Sequence, residues 1–263
     1  MQQALSSTER GYDLVATKFD RTPFRTPEPI VLEMAKQIGE VDDALDVCCG
    51  TGAALGPLRA RARKRVVGLD FSRGMLDEAE RRLATAPGTA KVELVLGDAL
   101  AMPFQDEFDV VTSVGAFGHI LREDEDRFLA GIFRALRPGG SFVFVTSEVP
   151  AATTPWFWMA HGFNAVMRVR NALLKPPFIM YYLTFMWPEI RATLVRAGFE
   201  VTAERDLFAK PPGADSSSQA AESFRTRPSS ATPAVRRAPS LLRNEELGAY
   251  PRAILVRARK PRA

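Results

Sequence analysis

Residues 45–52 read LDVCCGTG. A strand-like run ends here on an acid, two cysteines and two closely spaced glycines. The stretch is too polar for the middle of a buried strand and too rich in glycine for the start of a helix. Gly50 and Gly52 allow a tight turn and let a ligand lie against bare backbone. Asp46, at the strand end, suits a ligand carrying positive charge.

Outward from this turn the chain alternates between two hydrophobic periods. DALDVCC is a short apolar strand and GAALGPLRARAR reads as a helix. RVVGLD is a strand, and SRGMLDEAERRL is a helix with Ser72 as its cap. KVELVLGD and FDVVTSVG are strands. DEDRFLAGIFRAL is a helix expected to close at Pro138, Gly139 and Gly140, before the strand SFVFVTSE. Upstream, TPEPIVLEMAKQI is a helix with Thr26 as cap and Pro27 in its first turn. Val66-Val67 and Val110-Val111 are apolar on both faces, as buried parallel strands are. The alternation predicts an α/β fold with a doubly wound, mostly parallel, Rossmann-like sheet of seven strands.

The expected organisation has six parts. Residues 1–40 form N-terminal helices, 41–149 the core, and 150–187 an aromatic insertion after the fifth strand. Residues 188–208 hold the last helix and sixth strand, and 249–263 the final strand. Residues 209–248 are rich in Pro, Ser, Ala and Arg, and read as a disordered insertion.

The 263 residues are enough for one large domain, and 46% of them are apolar. The two adjacent cysteines, Cys48 and Cys49, cannot make a disulfide framework, and the N-terminal stretch has no secretory pattern. Both point to a cytoplasmic chain. From residue 209 onward eleven Lys or Arg face four Asp or Glu, so the first 208 residues carry a net −3 against the whole-chain +4. The basic balance sits in the tail, which argues against nucleic acid as partner of the core.

In an open parallel sheet, ligands bind beyond the carboxyl ends of the strands where strand order reverses. The second strand ends in Asp70, whose carboxylate can accept both hydroxyls of a ribose. That much fits NAD as well as other nucleosides. Three features favour S-adenosylmethionine (SAM). Asp46 would repel a pyrophosphate but suits an ammonium or sulfonium. The dinucleotide pattern G-x-G-x-x-G is missing, because Leu55 follows Gly50 and Gly52. GDALAMPF offers Asp98 and the Ala99 backbone to an adenine edge.

With those residues in view, the chain resembles the class I SAM-dependent methyltransferases of the small-molecule type, and is similar to the quinone-biosynthesis methyltransferases. LDVCCGTG, GLDFSRGML, GDALAMPF, FDVVTSVGAFGHI and FRALRPGGSFVF match the family's successive motifs in order. The resemblance implies that Asp46, Gly50 and Gly52, with Thr51 between them, contact the methionine part of SAM. Asp70 would bind the ribose, Phe71 and Met75 would pack near the adenine, and Asp98 would accept from its amino group. The backbone at Val114 and Gly115 would face the methionine amine. Tyr12 lies in a segment resembling the helix that closes over the cofactor. Cys48 departs from the family, which has glycine most often there, and its sulfur narrows the loop.

The acceptor is less legible. The tetrapeptide resembling Asn-Pro-Pro-Tyr, found in enzymes that methylate exocyclic amines, is replaced by VGAFGH. Both cysteines sit in the cofactor turn, away from any role as pyrimidine nucleophile. Nucleic acid is therefore not the expected acceptor, and no metal is expected. His119, after the fourth strand, and Glu148, ending the fifth, are candidate catalytic residues. Residues 156–187 hold all three tryptophans. Trp156, Trp158, His161, Phe178, Tyr182 and Trp187 are candidates to line a lid over an apolar or aromatic acceptor. Helices simply packing on the sheet, or a surface helix dipping into a membrane, remain alternatives. The expected activity is methyl transfer to a small apolar molecule by a monomer or homodimer. The rival reading is a catalytically silent SAM-binding module that recruits a partner or a membrane.

Overall fold

A computed structural model describes residues 8–22, 25–207 and 253–262. The expected insertion at 209–248 lies outside them. Seven strands form one sheet in the order β3-β2-β1-β4-β5-β7-β6. These are β1 (Val41–Val47), β2 (Ala62–Asp70), β3 (Lys91–Leu96), β4 (Phe108–Ser113), β5 (Leu136–Ser147), β6 (Glu200–Asp206) and β7 (Ala253–Arg259). The first five strands pair in parallel, and β7 runs antiparallel between β5 and β6. Strand order reverses between β1 and β4, which puts a ligand cleft at their carboxyl ends.

The pleat sorts the strand residues into two cores. Leu45, Val47, Val67, Leu69, Phe142 and Phe144 face one side. There they meet α5 (Glu125–Ala135) and α7 (Glu189–Arg196) through Phe128, Ile132, Ile190 and Leu194. Ala44, Val66, Val110 and Val143 face the other side, with α2 (Glu28–Ile38), α3 (Leu55–Arg59) and α4 (Arg73–Leu83). Ser72 caps α4, its hydroxyl accepting from the Met75 amide as expected.

Three local expectations are corrected. The helix expected over residues 52–63 is only α3, because Ala62 already pairs with Val41 on β1. Sheet pairing outweighs the helical propensity of the Arg-Ala run. Thr26 does not cap α2, whose N-cap is Pro27 with no side-chain bond. Pro138, Gly139 and Gly140 do not close α5 but lie inside β5, where Leu136 already pairs with Phe108.

Two further segments build over the carboxyl ends of the strands. α1 (Thr8–Phe19) lies against α4, buries only Gly11 and Ala16, and is held by polar contacts. Asp13 accepts from the Ser72 hydroxyl at 2.5 Å and from the Gly74 amide at 2.9 Å. Asp20 accepts from the Thr51 hydroxyl at 2.8 Å and pairs with Arg82. After β5, α6 (Pro155–Leu173) starts at a Thr154 cap. The chain then returns without regular structure to Trp187, which bridges to Glu148. In place of a helical pair there is one helix and a return strap.

Candidate active site

Two cavities adjoin at the carboxyl ends of β1, β4 and β5. The smaller, about 90 Å³, is lined by Asp46, Cys48, Gly50, Thr51, Asp70, Phe71, Met75, Val114 and Gly115, with Tyr12, Arg25 and His119 among its other walls. The expected cofactor residues thus converge, except that Gly52, Asp98 and Ala99 line neither cavity. Asp98 instead caps the short turn Ala99–Ala101 by accepting from the Leu100 amide at 2.8 Å. Gly52 serves the turn itself. It sits at φ 78°, and a Cβ there would lie 3.0 Å from the Ala79 Cβ on α4.

Cys48 adopts φ 57°. This left-handed conformation costs an L-residue roughly 1–2 kcal/mol, which is the physical reason glycine suits the position. Burial, with Asp70 close by, pushes both the Cys48 and Cys49 thiols up. They stay protonated and unreactive.

The acids are set for a cation. Burial pushes the Asp46 carboxyl up to about 7; a 2.7 Å hydrogen bond from the Thr112 hydroxyl opposes this, and the charge of Asp70 adds to it. Burial also raises Asp70, against hydrogen bonds from the backbone of Ser72 and Gly50. Its two oxygens accept from Gly50 at 2.8 Å and Ser72 at 3.0 Å, tying the glycine turn of β1 to the end of β2. The Phe71 amide adds a third hydrogen bond, and the carboxylate's remaining acceptor capacity suits a ribose hydroxyl. Arg25 supplies the opposite charge. Its buried Nε has no hydrogen-bond partner, and Asp20 stands off at 3.8 Å. SAM would need an acid for its ammonium or sulfonium, a cation for its carboxylate and an acceptor for its ribose, and Asp46, Arg25 and Asp70 in this cavity offer those chemistries. The residues therefore fit that cofactor. Arg25 was missed in the sequence because it sits in a linker without periodic pattern.

The larger cavity, about 600 Å³, shares Tyr12, Phe19, Thr26, Val114, Gly115 and His119 with the smaller. Its size falls in the range of ligand pockets, roughly 300–1,000 Å³. At the partition, the Tyr12 hydroxyl lies 2.7 Å from His119 Nε2. His119 Nδ1 faces the Ile179 carbonyl. A carbonyl only accepts, so Nδ1 carries the proton and Nε2 accepts from Tyr12. Burial lowers the His119 pKa and raises that of Tyr12, so both are neutral.

The return strap walls this cavity with Met180, Tyr181, Tyr182, Leu183 and Thr184. Two α6 asparagines seven residues apart hold it. Asn164 exchanges both its amide groups with the Tyr182 backbone at 2.8 Å, and Asn171 does the same with Phe178 at 3.0 Å. The strap is also stitched to the turn at 117–119. Tyr181 N donates to Gly118 O at 2.8 Å, and the Thr184 hydroxyl donates to Phe117 O at 2.7 Å. Sequence reasoning overlooked both asparagines, although heptad spacing on one helix face was a visible signal.

Of the expected acceptor residues, only Trp156 and Tyr182 line the cavity, 5.4 Å apart between ring centroids. Trp158 is 66% exposed and donates its indole N–H to Ala152 O. His161 is exposed beside Phe157. Phe178 is buried without lining either cavity, and Trp187 packs in the sheet core at 3% exposure. Glu148 also lines neither cavity. The helical turn of α6 sends Trp158 and His161 away from the sheet, which sequence spacing without a docking angle did not reveal.

The fold is the Rossmann-like fold of the methyltransferases. A family model described as a methyltransferase domain matches residues 44–140. A demethylmenaquinone methyltransferase of Symbiobacterium thermophilum is 38% identical over 160 residues, 60% of this chain and 55% of that protein. One from Staphylococcus aureus is 34% identical over 175 residues, 59% of this chain and 67% of that protein. The chain thus spans between about half and two thirds of these relatives. The crystal structure of a SAM-dependent methyltransferase from Methanosarcina mazei shares the fold, with a TM-score of 0.60 at 16% identity, covering 88% of this chain and 98% of that one. The chain belongs to the SAM-dependent methyltransferase family that includes the demethylmenaquinone methyltransferases.

Proposed function

We propose that this methyltransferase carries the methyl group of SAM to an uncharged aromatic acceptor held in the 600 Å³ cavity. One observation carries the reading: no Asp, Glu, Lys or Arg is among the residues lining that cavity. A phosphorylated or carboxylated acceptor would leave its charge buried without a partner. Trp156, Tyr182 and Phe117 line the cavity and offer aromatic surface to a planar ring. The relatives at 38% and 34% identity are demethylmenaquinone methyltransferases, and a quinone is a neutral ring bearing oxygen.

When bound, SAM supplies a methyl already activated on a positive sulfur. The chain's work is then alignment, through Asp46, Arg25 and Asp70 on one side and the strap on the other. Transfer to a ring carbon or oxygen releases one proton. Tyr12 and His119 are placed to take it: the Tyr12 oxygen accepts the acceptor's proton as its own passes to His119 Nε2. The His119 Nδ1–H bond to Ile179 O then holds the imidazolium. Glu148, lining neither cavity, has no part in this reading.

The test offers methyl-labelled SAM with a hydroxylated naphthalene, and in parallel with carboxylated and phosphorylated analogues. Label should pass to the neutral ring alone, and transfer to a charged analogue would overturn the reading. Tyr12→Phe should lower kcat about a hundredfold, in the 10²–10⁴ range of acid–base assistance, while SAM affinity stays within a few-fold. Unchanged kcat would remove Tyr12 from proton transfer.

A further inference from the structure

The outer face of α6 is not used by the site, and it has an unusual composition. Trp158, Val166, Val169 and Leu173 are 66%, 66%, 61% and 77% exposed. At about 100° per residue they fall within one arc of roughly 80°. The buried residues of the helix, Ala160, Asn164 and Met167, lie on the opposite side. Arg168 and Arg170 flank the apolar arc on its two sides, and Lys175 follows the helix end. No Asp or Glu occurs between Glu148 and Glu189, so this whole segment carries a net +3. The first 208 residues as a whole are net negative, which makes the local surplus of cations a feature of this face.

We propose that α6 docks the protein onto an anionic membrane surface, lying in the interface with its apolar arc down and its cations among the headgroups. An apolar arc edged by Arg and Lys is what an interfacial helix needs. Long basic side chains reach headgroups while their stems stay in apolar surroundings. Among the described residues no helix is long and apolar enough to cross a membrane, so the helix lies on the bilayer. Charge complementarity selects anionic lipid over a second copy of the chain, since two such faces would bring six cations together. Trp156 and Met159, on the same helix, line the larger cavity, so docking brings that cavity close to the lipid. Docking does not depend on the acceptor's identity, and it is read without turnover.

The full chain is sedimented with phosphatidylcholine–phosphatidylglycerol vesicles and with phosphatidylcholine alone. Binding is expected to the anionic vesicles, weakening as salt rises. Val166→Glu with Val169→Glu should reduce partitioning about tenfold or more. Arg168→Gln, Arg170→Gln and Lys175→Gln together should do likewise. SAM binding by calorimetry, unchanged in both variants, shows that each is folded. No binding at low salt, or equal binding by the wild type and the folded glutamate variant, overturns the proposal. So does a concentration-dependent dimer in solution that the glutamate pair abolishes, because the face would then be covered by a second copy.

Discussion

Asp46 couples the cofactor cavity to pH. Its folded pKa of about 7 lies above the roughly 3.9 of an unfolded aspartate. Between those values the native state holds a proton that the unfolded chain has lost, so stability of the ligand-free protein falls as pH rises from about 4 to about 7. A cation beside Asp46 reverses the preference by favouring the ionised form. SAM affinity should therefore climb as pH rises towards 7, by up to about tenfold per unit well below the pKa. Calorimetric titration at several pH values checks this. Asp46→Asn should bind weakly with a flat profile over the same range. A wild-type profile as flat as the mutant's would show that Asp46 does not meet the cation.

At the scale of elements, α1 is held to α4 by carboxylates and hardly at all by apolar packing. Asp13 receives two hydrogen bonds at the start of α4, where the helix dipole also favours an anion. α1 brings Tyr12 and Phe19 over both cavities, and the smaller is well under the size of ordinary ligand pockets. A nucleoside needs more room than this, which predicts that α1 moves to admit and release it. Asp13→Ala should speed SAM dissociation about tenfold, since hydrogen bonds to a charged group are worth roughly 1.5–3 kcal/mol. The melting temperature should shift little, because the two cores do not involve α1. Stopped-flow displacement gives the rate, and an unchanged rate would mean that α1 does not gate the site.

Across the whole molecule, the sheet is pinned at the end away from the site. Arg137 on β5 bonds Asp43 of β1 at 2.8 Å and Asp109 of β4 at 2.9 Å. Arg65 on β2 bonds Asp43 at 3.0 Å and Glu107 at 2.8 Å. The Asp109 carboxylate also accepts from the Asp42 and Asp43 amides, both at 2.9 Å. Four strands are thus joined by one ionic cluster. Arg137 is partly exposed, which screens its pairs. Its loss leaves nearly buried Asp43 short of a partner. Arg137→Ala should cost about 1–2 kcal/mol and lower the melting temperature by about 2–6 °C. SAM affinity should not change, and a large loss of affinity would mean that the two ends of the sheet are coupled.

The residues of LDVCCGTG, GLDFS and the paired valines determined the sheet, its reversal point and the end of it at which the expected cofactor residues gather. Each depends on local chemistry: a strand period, a glycine turn and an acid at a strand end. Ser72 was legible for the same reason, since a cap acts within one turn of its own helix. The larger cavity was decided by tertiary structure. Trp158 and Trp187 have the same chemistry and sit in the same segment. One lies on the outer arc of α6 and the other in the core, because the docking angle of the helix and the path of the strap separate them. Neither angle nor path is encoded in local periodicity. Arg25 and the Tyr12–His119 pair likewise exist only because α1 and its linker fold back across the strand ends, bringing together groups that lie over a hundred positions apart in the case of Tyr12 and His119. Local pattern is set by backbone geometry over a few residues, whereas a cavity is set by how distant elements pack.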